Sequence, residues 1–374
     1  MNKPILIVGA GISGCTLAER FANILNKKVI IIDKRPHIGG NCYDFYNKGV
    51  LVPKYGPHFF HTNDEKVWNY INNFSEWKPY EHRVLSNIDG SNLVPVPVNI
   101  KTVNTIFGLS IQTSAEFDNW LEMEKEKIDN PKNSEEYAIS RMGKRLYNIL
   151  FKNYTKKQWD KWPSELDPTI LARIPIRNNF DDRYFTDKYQ AMPKDGYTKI
   201  FERMINHPNI KLKLNTDWLD FANSKDSYEM IFFTGRIDQF FSYKYEPLEY
   251  RSLKFVFETI NKEYFQERAQ VNYPNTEKFT RITEPKHATG QKSNYTTIIK
   301  EYSTWEGEPY YPVPSENNKS LYAKYQSDAK EYEKKNIYFV GRLAEYKYFN
   351  MDQAFKNALE LFERIINEKP TRNS

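Results

Sequence analysis

The organisation of this chain is decided by the stretch Pro4-Ile-Leu-Ile-Val8-Gly9-Ala-Gly11-Ile-Ser-Gly14. The apolar residues before the first glycine form a continuous run, which is typical of a strand buried on both faces of a parallel sheet. Residues 12–25 repeat apolar side chains at helical spacing, and residues 28–33 form a second apolar run that ends at Asp33. The sequence therefore predicts a βαβ unit of about 30 residues.

The three glycines of this stretch have separate roles in such a unit. Gly9 permits the tight turn, Gly11 lets a pyrophosphate approach the backbone, and Gly14 lets helix and strand pack closely. The helix N-terminus attracts the anion, and Asp33 stands where a carboxylate accepts hydrogen bonds from ribose hydroxyls. A purely structural glycine turn is the alternative, but strand, helix and acid in this order favour dinucleotide binding.

A second glycine motif indicates which dinucleotide is bound. The run Arg35-Pro-His-Ile-Gly39-Gly40-Asn41 follows Asp33 directly. This basic residue and glycine doublet resembles the second fingerprint of flavoproteins with two dinucleotide-type domains, which nicotinamide dehydrogenases generally lack. An ordinary turn is the alternative. The motif favours FAD.

Composition limits the class of protein. A chain of 374 residues exceeds the size at which one core keeps growing, so two or three subdomains around a cleft are expected. The net charge of +6 is spread without blocks of like charge, which favours an anionic small molecule over nucleic acid. Aromatic residues make up 16%, mostly Tyr and Phe, which suits a pocket that binds an oxygen-rich ligand.

Cysteine usage and hydropathy bear on location. Cys15 and Cys42 form no disulfide framework and no metal-ligand pattern, so a reducing compartment is expected. The apolar run 4–8 is too short for a signal-peptide core or a membrane span. We therefore expect a cytoplasmic protein without a membrane span.

His58 and His61 lack further ligands to complete a metal site, and no metal is expected.

Seven further runs, spread over almost the whole chain, carry a more specific likeness. They are Lys54-Tyr-Gly-Pro-His58-Phe-Phe-His61-Thr, Tyr154-Thr-Lys-Lys-Gln-Trp159, Arg173-Ile-Pro-Ile-Arg177, Leu248-Glu-Tyr-Arg251-Ser-Leu253, Lys300-Glu301-Tyr, Glu308-Pro-Tyr-Tyr311-Pro and Gly341-Arg342-Leu-Ala-Glu-Tyr346-Lys-Tyr348. In order and spacing they resemble the UDP-galactopyranose mutase family.

The resemblance implies an α/β fold in which a Rossmann-like FAD-binding domain carries a helical insertion domain and an antiparallel β-sheet domain. The FAD-binding domain is expected to be discontinuous, with residues 1–80, 193–230 and 332–370. The helical domain is expected at 100–172, with a mobile lid at about 155–175. The antiparallel substrate domain is expected at 81–99, 173–192 and 231–331. The resemblance also implies a homodimer.

The resemblance further implies the reaction. In that family the reduced FAD is the nucleophile: its N5 attacks the anomeric carbon, the nucleoside diphosphate leaves, and the sugar ring opens and closes again as a furanose. Nothing is oxidised overall. The implied partners are a nucleotide sugar, UDP-galactose or a close analogue, and an unidentified reductant such as NAD(P)H. The implied setting is cell-surface polysaccharide biosynthesis.

Site residues follow from the resemblance, motif by motif. Those expected in catalysis are Arg173, Arg281, His61, Glu301, Tyr348 and Asn350. Those expected at the flavin are Gly9, Gly11, Ser13, Gly14, Asp33, Lys34, Gly40, Asn41, His58, Phe59, Trp218, Arg342, Asn350, Met351 and Asp352. Those expected at the nucleotide sugar are His82, Tyr154, Trp159, Arg173, Tyr184, Phe185, Arg251, Asn272, Arg281, Tyr311, Arg342 and Tyr348.

The roles agree with elementary chemistry. Arginine binds phosphate in a bidentate geometry, which suits the contacts to the diphosphate that the resemblance implies for Arg173 and Arg281. Glu301 is a candidate general acid or base, with an exposed salt-bridging glutamate as the alternative. The helix that begins near Met351 is expected to direct its positive end at the flavin pyrimidine.

Two departures from the family pattern leave the sugar open. The family commonly has Tyr-Tyr-Asp-Met where this chain has Tyr348-Phe-Asn350-Met351, and Arg-Phe-Gly where it has Lys244-Tyr-Glu-Pro247. A neutral amide at position 350 either tunes the flavin or fits another sugar or nucleotide. Two other functions stay open at this point: an FAD-dependent oxidoreductase of the amine-oxidase type, and a scaffold without a cofactor.

Overall fold

A computed structural model describes residues 3–368, without the side chains of residues 222 and 223. Residues 1–2 and 369–370 of the predicted FAD-binding domain lie outside the described residues. The strands are β1 Ile5–Val8, β2 Val29–Ile32, β3 Asp44–Asn47, β4 Val50–Pro53, β5 Phe60–Thr62, β6 Trp77–Pro79, β7 Val84–Asn87, β8 Leu93–Val96, β9 Tyr189–Pro193, β10 Ile210–Lys213, β11 Ile231–Phe233, β12 Tyr250–Ile260, β13 Gln270–Asn272, β14 Arg281–Thr283, β15 Thr296–Thr304, β16 Tyr311–Pro312 and β17 Ile337–Phe339.

The helices are numbered in the same way. They are α1 Ile12–Leu25, α2 Glu65–Asn72, α3 Ile100–Phe107, α4 Ser114–Glu124, α5 Ser134–Leu146, α6 Asn153–Trp159, α7 Thr169–Ala172, α8 Tyr197–Ile205, α9 Ile237–Phe240, α10 Lys286–Thr289, α11 Glu316–Glu333 and α12 Met351–Glu368. A π-helical segment, Tyr147–Lys152, joins α5 to α6. No described helix is long and apolar enough to cross a membrane.

A five-stranded parallel sheet forms the first unit, in the order β10-β2-β1-β11-β17. The predicted βαβ unit is confirmed as β1, α1 and β2. Along β1 the side chains alternate between two cores. Ile5 and Ile7 pack with α1, α8 and α12 on one face, whereas Leu6 and Val8 pack with α9 and α11 on the other. The sheet is therefore covered by helices on both faces, as a doubly wound fold requires.

Strand pairing corrects two of the predicted domain assignments, and side-chain packing corrects a third. Residues 231–233 were placed in the substrate domain, but as β11 they lie in the parallel sheet between β1 and β17, because their fully buried apolar run fits a strand covered on both faces. α11 was also placed there, yet Tyr325 and Ala329 pack against the parallel sheet. β9 pairs with β5 and β6 in a small antiparallel sheet instead of joining the substrate sheet. The other predicted domain bounds remain a proposal.

The second sheet has seven strands in the order β16-β12-β15-β14-β13-β7-β8. Its pairs are antiparallel except β13 with β7. The helices α3 to α7 pack around a separate apolar core beside this sheet. The three units meet around one cleft, where the sheet, the helices and the carboxyl ends of the parallel strands face each other.

Candidate active site

Two cavities lie side by side in this cleft. The first cavity opens at the carboxyl ends of β1, β2 and β11, where open α/β sheets place their ligands. The second cavity lies between α6, α7 and the seven-stranded sheet. Five residues line both cavities and form their shared wall: Asn41, His58, Arg342, Asn350 and Met351. Ligands in the two cavities would both contact these residues.

The glycines of the first cavity are required by close approach. Gly9 has φ +108°, and a Cβ on it would stand 2.0 Å from Oγ1 of Thr234. A Cβ on Gly14 would stand 1.9 Å from the carbonyl oxygen of Gly9, which cannot move without moving the turn. A Cβ on Gly40 would reach 3.0 Å from Cα of Gly11. The two glycine motifs of the sequence therefore pack against each other and leave the backbone exposed to a ligand.

The start of α1 is suited to an anion. In α1 no side chain caps the N-terminus and no acidic residue stands in the first turn of this fully described helix, so its N–H groups are available to a phosphate. Asp33 holds the turn above them: one carboxylate oxygen accepts the N–H of Ala10 at 2.7 Å and the other that of Arg35 at 2.8 Å. The carboxylate thus shapes the loop as well as lining the cavity.

Most residues expected at the flavin line the first cavity. They are Gly9, Gly11, Ser13, Asp33, Lys34, Gly40, Asn41, His58, Trp218, Arg342, Asn350 and Met351. Gly14 lies beneath the turn. Phe59 lines the second cavity and stacks on His82, with ring centroids 3.7 Å apart. The Asp352 side chain turns away and accepts a hydrogen bond from Thr62 at 3.0 Å, so it lines neither cavity.

Arginines dominate the second cavity. Arg281 on β14 lies opposite Glu301 on β15, and their side chains form an ion pair at 2.8 Å with the carboxylate buried. Burial by itself lowers the pKa of Arg281, but the Glu301 carboxylate outweighs it and holds the pKa well above the usual value. The carboxyl group is therefore a buried counter-ion, which corrects the alternative of an exposed salt bridge.

Two more arginines face one tyrosine. The guanidinium of Arg173 lies 4.9 Å from the ring centroid of Tyr348, and that of Arg342 lies 5.2 Å from it. Burial raises the pKa of Tyr348, but Arg173 and Arg342 outweigh burial and leave it lowered. Tyr311 stacks on Tyr348 at 5.5 Å. Cations and phenol groups thus converge in the way that a diphosphate requires.

Two histidines of the cavity walls stay neutral at neutral pH. Burial, with Arg342 nearby, lowers the pKa of His58 to about 4. Burial, with Arg281 nearby, lowers the pKa of His82 to about 3. Nδ1 of His58 faces the carbonyl oxygen of Gly56 at 3.1 Å; because a carbonyl only accepts, Nδ1 carries the proton and Nε2 keeps its lone pair.

Arg251 does not line the second cavity, contrary to the prediction. Its Nε donates to the carbonyl oxygen of Gln158 at 3.1 Å, in the last turn of α6, and its guanidinium lies 4.3 Å from the ring centroid of Trp305. Ser303 donates to the same carbonyl at 2.7 Å. A cation is favoured at a helix C-terminus, so Arg251 fixes α6 on the sheet instead of contacting ligand directly.

The other residues expected at the nucleotide sugar, and those expected in catalysis, line the second cavity. They are His61, His82, Tyr154, Trp159, Arg173, Tyr184, Phe185, Asn272, Arg281, Glu301, Tyr311, Arg342, Tyr348 and Asn350. Sequence reasoning missed Phe151 and Gln270. Phe151 precedes Tyr154 by three residues on a helix, and Gln270 precedes Asn272 by two on a strand, so each shares a face with a chosen residue.

Two further observations concern cations. No group of three or more His, Cys, Asp or Glu side chains that could hold a metal occurs within residues 3–368. Lys34 lies 2.8 Å from the Glu308 carboxylate, which also lines the first cavity, so this lysine is already paired.

Comparison with known proteins agrees with this geometry. The family model described as UDP-galactopyranose mutase matches residues 149–348, which hold most of the second cavity. A model for an NAD(P)-binding Rossmann-like domain matches residues 7–74, which begin the parallel sheet.

Full-length relatives match as well. The chain is 40% identical to a probable UDP-galactopyranose mutase of Klebsiella pneumoniae, covering 98% of this chain and 97% of the relative. It is 38% identical to the dTDP-fucopyranose mutase of Escherichia coli, covering 98% and 99%. Its fold superposes on the crystal structure of a reduced UDP-galactopyranose mutase with a TM-score of 0.79, at 17% identity, covering 99% and 96%.

Proposed function

The chain belongs to the UDP-galactopyranose mutase family, and on that premise we propose that it interconverts the pyranose and furanose forms of a nucleotide sugar where the two cavities meet. The family makes it an isomerase, a flavin-dependent mutase. The observation that carries the proposal is the shared wall, since it brings a dinucleotide cavity into contact with a cavity built from arginines and tyrosines.

The first cavity fits FAD. Its glycines leave room for a pyrophosphate against the main chain, the uncapped start of α1 offers N–H groups, and Asp33 offers carboxylate lone pairs for a ribose. When bound in its reduced form, FAD would supply the nucleophile for the anomeric carbon. Asn350 and Met351 at the start of α12 bring the positive end of that helix to the shared wall, where it favours negative charge.

In the second cavity this chain's residues hold the diphosphate before and after it leaves the sugar. Arg173, Arg281 and Arg342 stay charged throughout, so they stabilise the extra negative charge on the departing group. Tyr311 and Tyr348 line the same cavity with their rings stacked, and their hydroxyls are proposed to contact the diphosphate. Because Arg281 is paired with Glu301, its guanidinium stands ready without free rotation of the side chain.

The other end of the second cavity is suited to the nucleoside. Phe151, Tyr154 and Trp159 supply aromatic faces for a base, and Asn272 and Gln270 supply amides for its polar atoms. Lid closure over residues 155–175 would complete this side and exclude water from the reacting sugar.

The sugar itself is proposed as galactose on UDP or a close analogue. The relatives support both choices, since one is a probable UDP-galactopyranose mutase and another a dTDP-fucopyranose mutase at nearly the same identity. The amide at position 350 keeps a second sugar in consideration. We also propose NAD(P)H as the reductant, a homodimer, a cytoplasmic location and a role in surface polysaccharide synthesis. The amine-oxidase alternative is not favoured, because the full-length relatives are mutases.

The test compares oxidised and chemically reduced protein. Each is incubated with UDP-galactose and, separately, with dTDP-fucose, and the furanose product is measured by NMR. We expect furanose only with reduced protein and a clear preference between the two sugars. Absence of furanose from every sugar nucleotide with the reduced, flavin-loaded protein would reject the proposal.

A further inference from the structure

One histidine of the second cavity is held by a ring inside the cavity and a carboxylate outside it. His61 on β5 lines the second cavity, and its ring stacks on Phe185 with centroids 3.6 Å apart and planes 13° apart. Its Nδ1 lies 2.9 Å from Oδ2 of Asp187. Asp187 does not line the cavity. Stacking on Phe185 thus fixes the plane of the His61 ring, and the contact with Asp187 fixes its rotation within that plane.

The Asp187 carboxylate is itself oriented by a short chain of hydrogen bonds. The main-chain N–H of Lys188 donates to Oδ1 of Asn63 at 2.8 Å. An N–H can only donate, so the oxygen of the Asn63 amide must face Lys188 and its NH₂ must face the other way. That NH₂ donates to Oδ1 of Asp187 at 2.9 Å, which leaves Oδ2 for His61.

The chain of bonds sets the tautomer of His61. A carboxylate only accepts, so the ring nitrogen that faces it must carry the proton. In the neutral ring, Nδ1 is then the donor and Nε2 keeps its lone pair. Because Nδ1 is already used, Nε2 is the ring nitrogen that His61 can offer to a ligand in the second cavity.

We propose that Asp187 and Asn63 are positioning residues that hold His61 in the Nδ1–H tautomer, so that Nε2 accepts a hydrogen bond from a sugar hydroxyl. The proposal rests on the proposed function, since it is the nucleotide sugar that brings the hydroxyl. The arrangement follows a general pattern, in which an acceptor-only group behind an imidazole fixes its tautomer and its direction.

The decisive variant is Asp187→Asn. The Asn63 NH₂ still donates toward position 187, so the introduced amide turns its oxygen to Asn63 and its NH₂ to His61. The proton of His61 then moves to Nε2 and the acceptor is lost. We expect turnover to fall about 10²-fold or more, within the range of general acid–base effects, with a much smaller change in KM.

A second variant restores the pattern by exchanging acid and amide. In the double variant Asn63→Asp, Asp187→Asn, the carboxylate at position 63 accepts from Lys188 and from the amide at position 187. The oxygen of that amide is then free to accept from His61. We expect turnover to return to within about tenfold of wild type, since a neutral acceptor only partly replaces a charged one. Asp182→Asn is the matched control, because Asp182 pairs with Arg83 and not with His61.

Two measurements on flavin-loaded protein test whether Asp187 and Asn63 set the tautomer of His61. Turnover is measured with the preferred sugar nucleotide, and the tautomer of His61 by ¹⁵N NMR, where six histidines give a tractable spectrum and His61→Gln assigns the signal. An Nδ1–H signal that changes to Nε2–H in Asp187→Asn and returns in the double variant supports the proposal.

The proposal about Asp187 and Asn63 would be overturned by wild-type turnover in Asp187→Asn. Turnover of the double variant no higher than that of Asp187→Asn would also overturn it. If wild-type protein formed no furanose at all, the proposed function would fail, while the NMR signal would still test the hydrogen-bond chain.

Discussion

The first cavity is shaped by close-packed glycine turns, whereas the second is shaped by large side chains. The first owes its shape to Gly9, Gly14 and Gly40, where any Cβ meets a neighbour at 3.0 Å or less. The second owes its chemistry to arginines and tyrosines that come from separate helices, strands and loops. The cavity proposed for the dinucleotide therefore has little freedom to change, whereas single substitutions can alter the cavity proposed for the sugar nucleotide.

The largest effect is expected from a substitution in the first cavity. In Gly14→Ala the added Cβ would lie 1.9 Å from the Gly9 carbonyl oxygen, so β1 and α1 must separate. We expect a protein that purifies without flavin absorbance and without activity. Gly11→Ala is the control for folding and not for flavin binding: its Cβ would meet Cα of Gly40 at 3.7 Å, an ordinary contact, so its thermal unfolding should match wild type. A yellow, active Gly14→Ala protein would contradict the proposed rigidity.

Removing a cation from the second cavity should be next in size. Arg281→Gln is expected to keep its flavin but lower turnover about 10³-fold, the upper end for losing one group that stabilises charge. It also leaves the buried Glu301 unpaired, which costs about 3–5 kcal/mol of unfolding free energy. Thermal unfolding and turnover are both measured. Adding Glu301→Gln should recover stability without recovering turnover, and recovery of both would contradict the charge argument.

A pair of arginines tests which of them faces the ligand. Arg173→Ala removes a cavity side chain and should lower turnover about 10²-fold, with the stability change small. Arg251→Ala removes the group that holds the Gln158 carbonyl on α6 and should lower the unfolding free energy by about 2 kcal/mol. Denaturant unfolding and turnover of the sugar nucleotide separate the two variants. Lower turnover in Arg251→Ala without a loss of stability would instead indicate that Arg251 contacts the ligand.

The buried histidine His82 makes the free energy of unfolding depend on pH. His82 has a folded pKa of about 3 against 6.5 when exposed, so only the unfolded chain binds its proton between these values. Its contribution is full above about pH 6.5 and is lost as pH falls, with a slope near 1.4 kcal/mol per pH unit. Urea unfolding at several pH values measures this. The slope of unfolding free energy against pH should be smaller in His82→Gln. An unchanged slope would show that other groups cause the pH dependence.

The smallest effect is expected at the shared wall. Asn350 immediately precedes α12, and its main-chain N–H donates to Gln353 at 2.9 Å. Asn350→Asp should keep the fold, because both residues suit a helix start. The added negative charge partly offsets the helix dipole, so the reduction potential of the flavin should fall and the ranking of sugar nucleotides should shift by less than about tenfold. An unchanged ranking would exclude position 350 from sugar choice.

The same contrast explains what the sequence could predict. The βαβ unit was predicted to within a residue or two, because strand, turn, helix and acid are contiguous and each follows a local rule. β11 was misplaced, because Ile231-Phe-Phe233 is a short apolar run whose neighbour in space, β1, lies far away in sequence. Local patterns do not tell which sheet such a strand joins.

Side-chain direction was the second limit. The motif around Arg251 was correctly noticed, but whether its guanidinium faces the ligand or the back of α6 depends on how the helix docks on β12. Asp352 was wrongly predicted to line the flavin site for the same reason, since Thr62 on another element turns its side chain aside. Asp187 lay outside every quoted motif, and only the pairing of β5 with β9 brings its loop to His61.

The shared wall is also expected to tie two equilibria together. Asn41, His58, Arg342, Asn350 and Met351 line both cavities, so we expect the redox state of a flavin in the first cavity to alter the free energy of binding in the second. Such coupling is reciprocal. A nucleotide sugar that binds the reduced protein more tightly than the oxidised one makes the flavin easier to reduce by the same factor. Electrons would then be taken up preferentially by molecules that already hold substrate, and idle enzyme would stay oxidised.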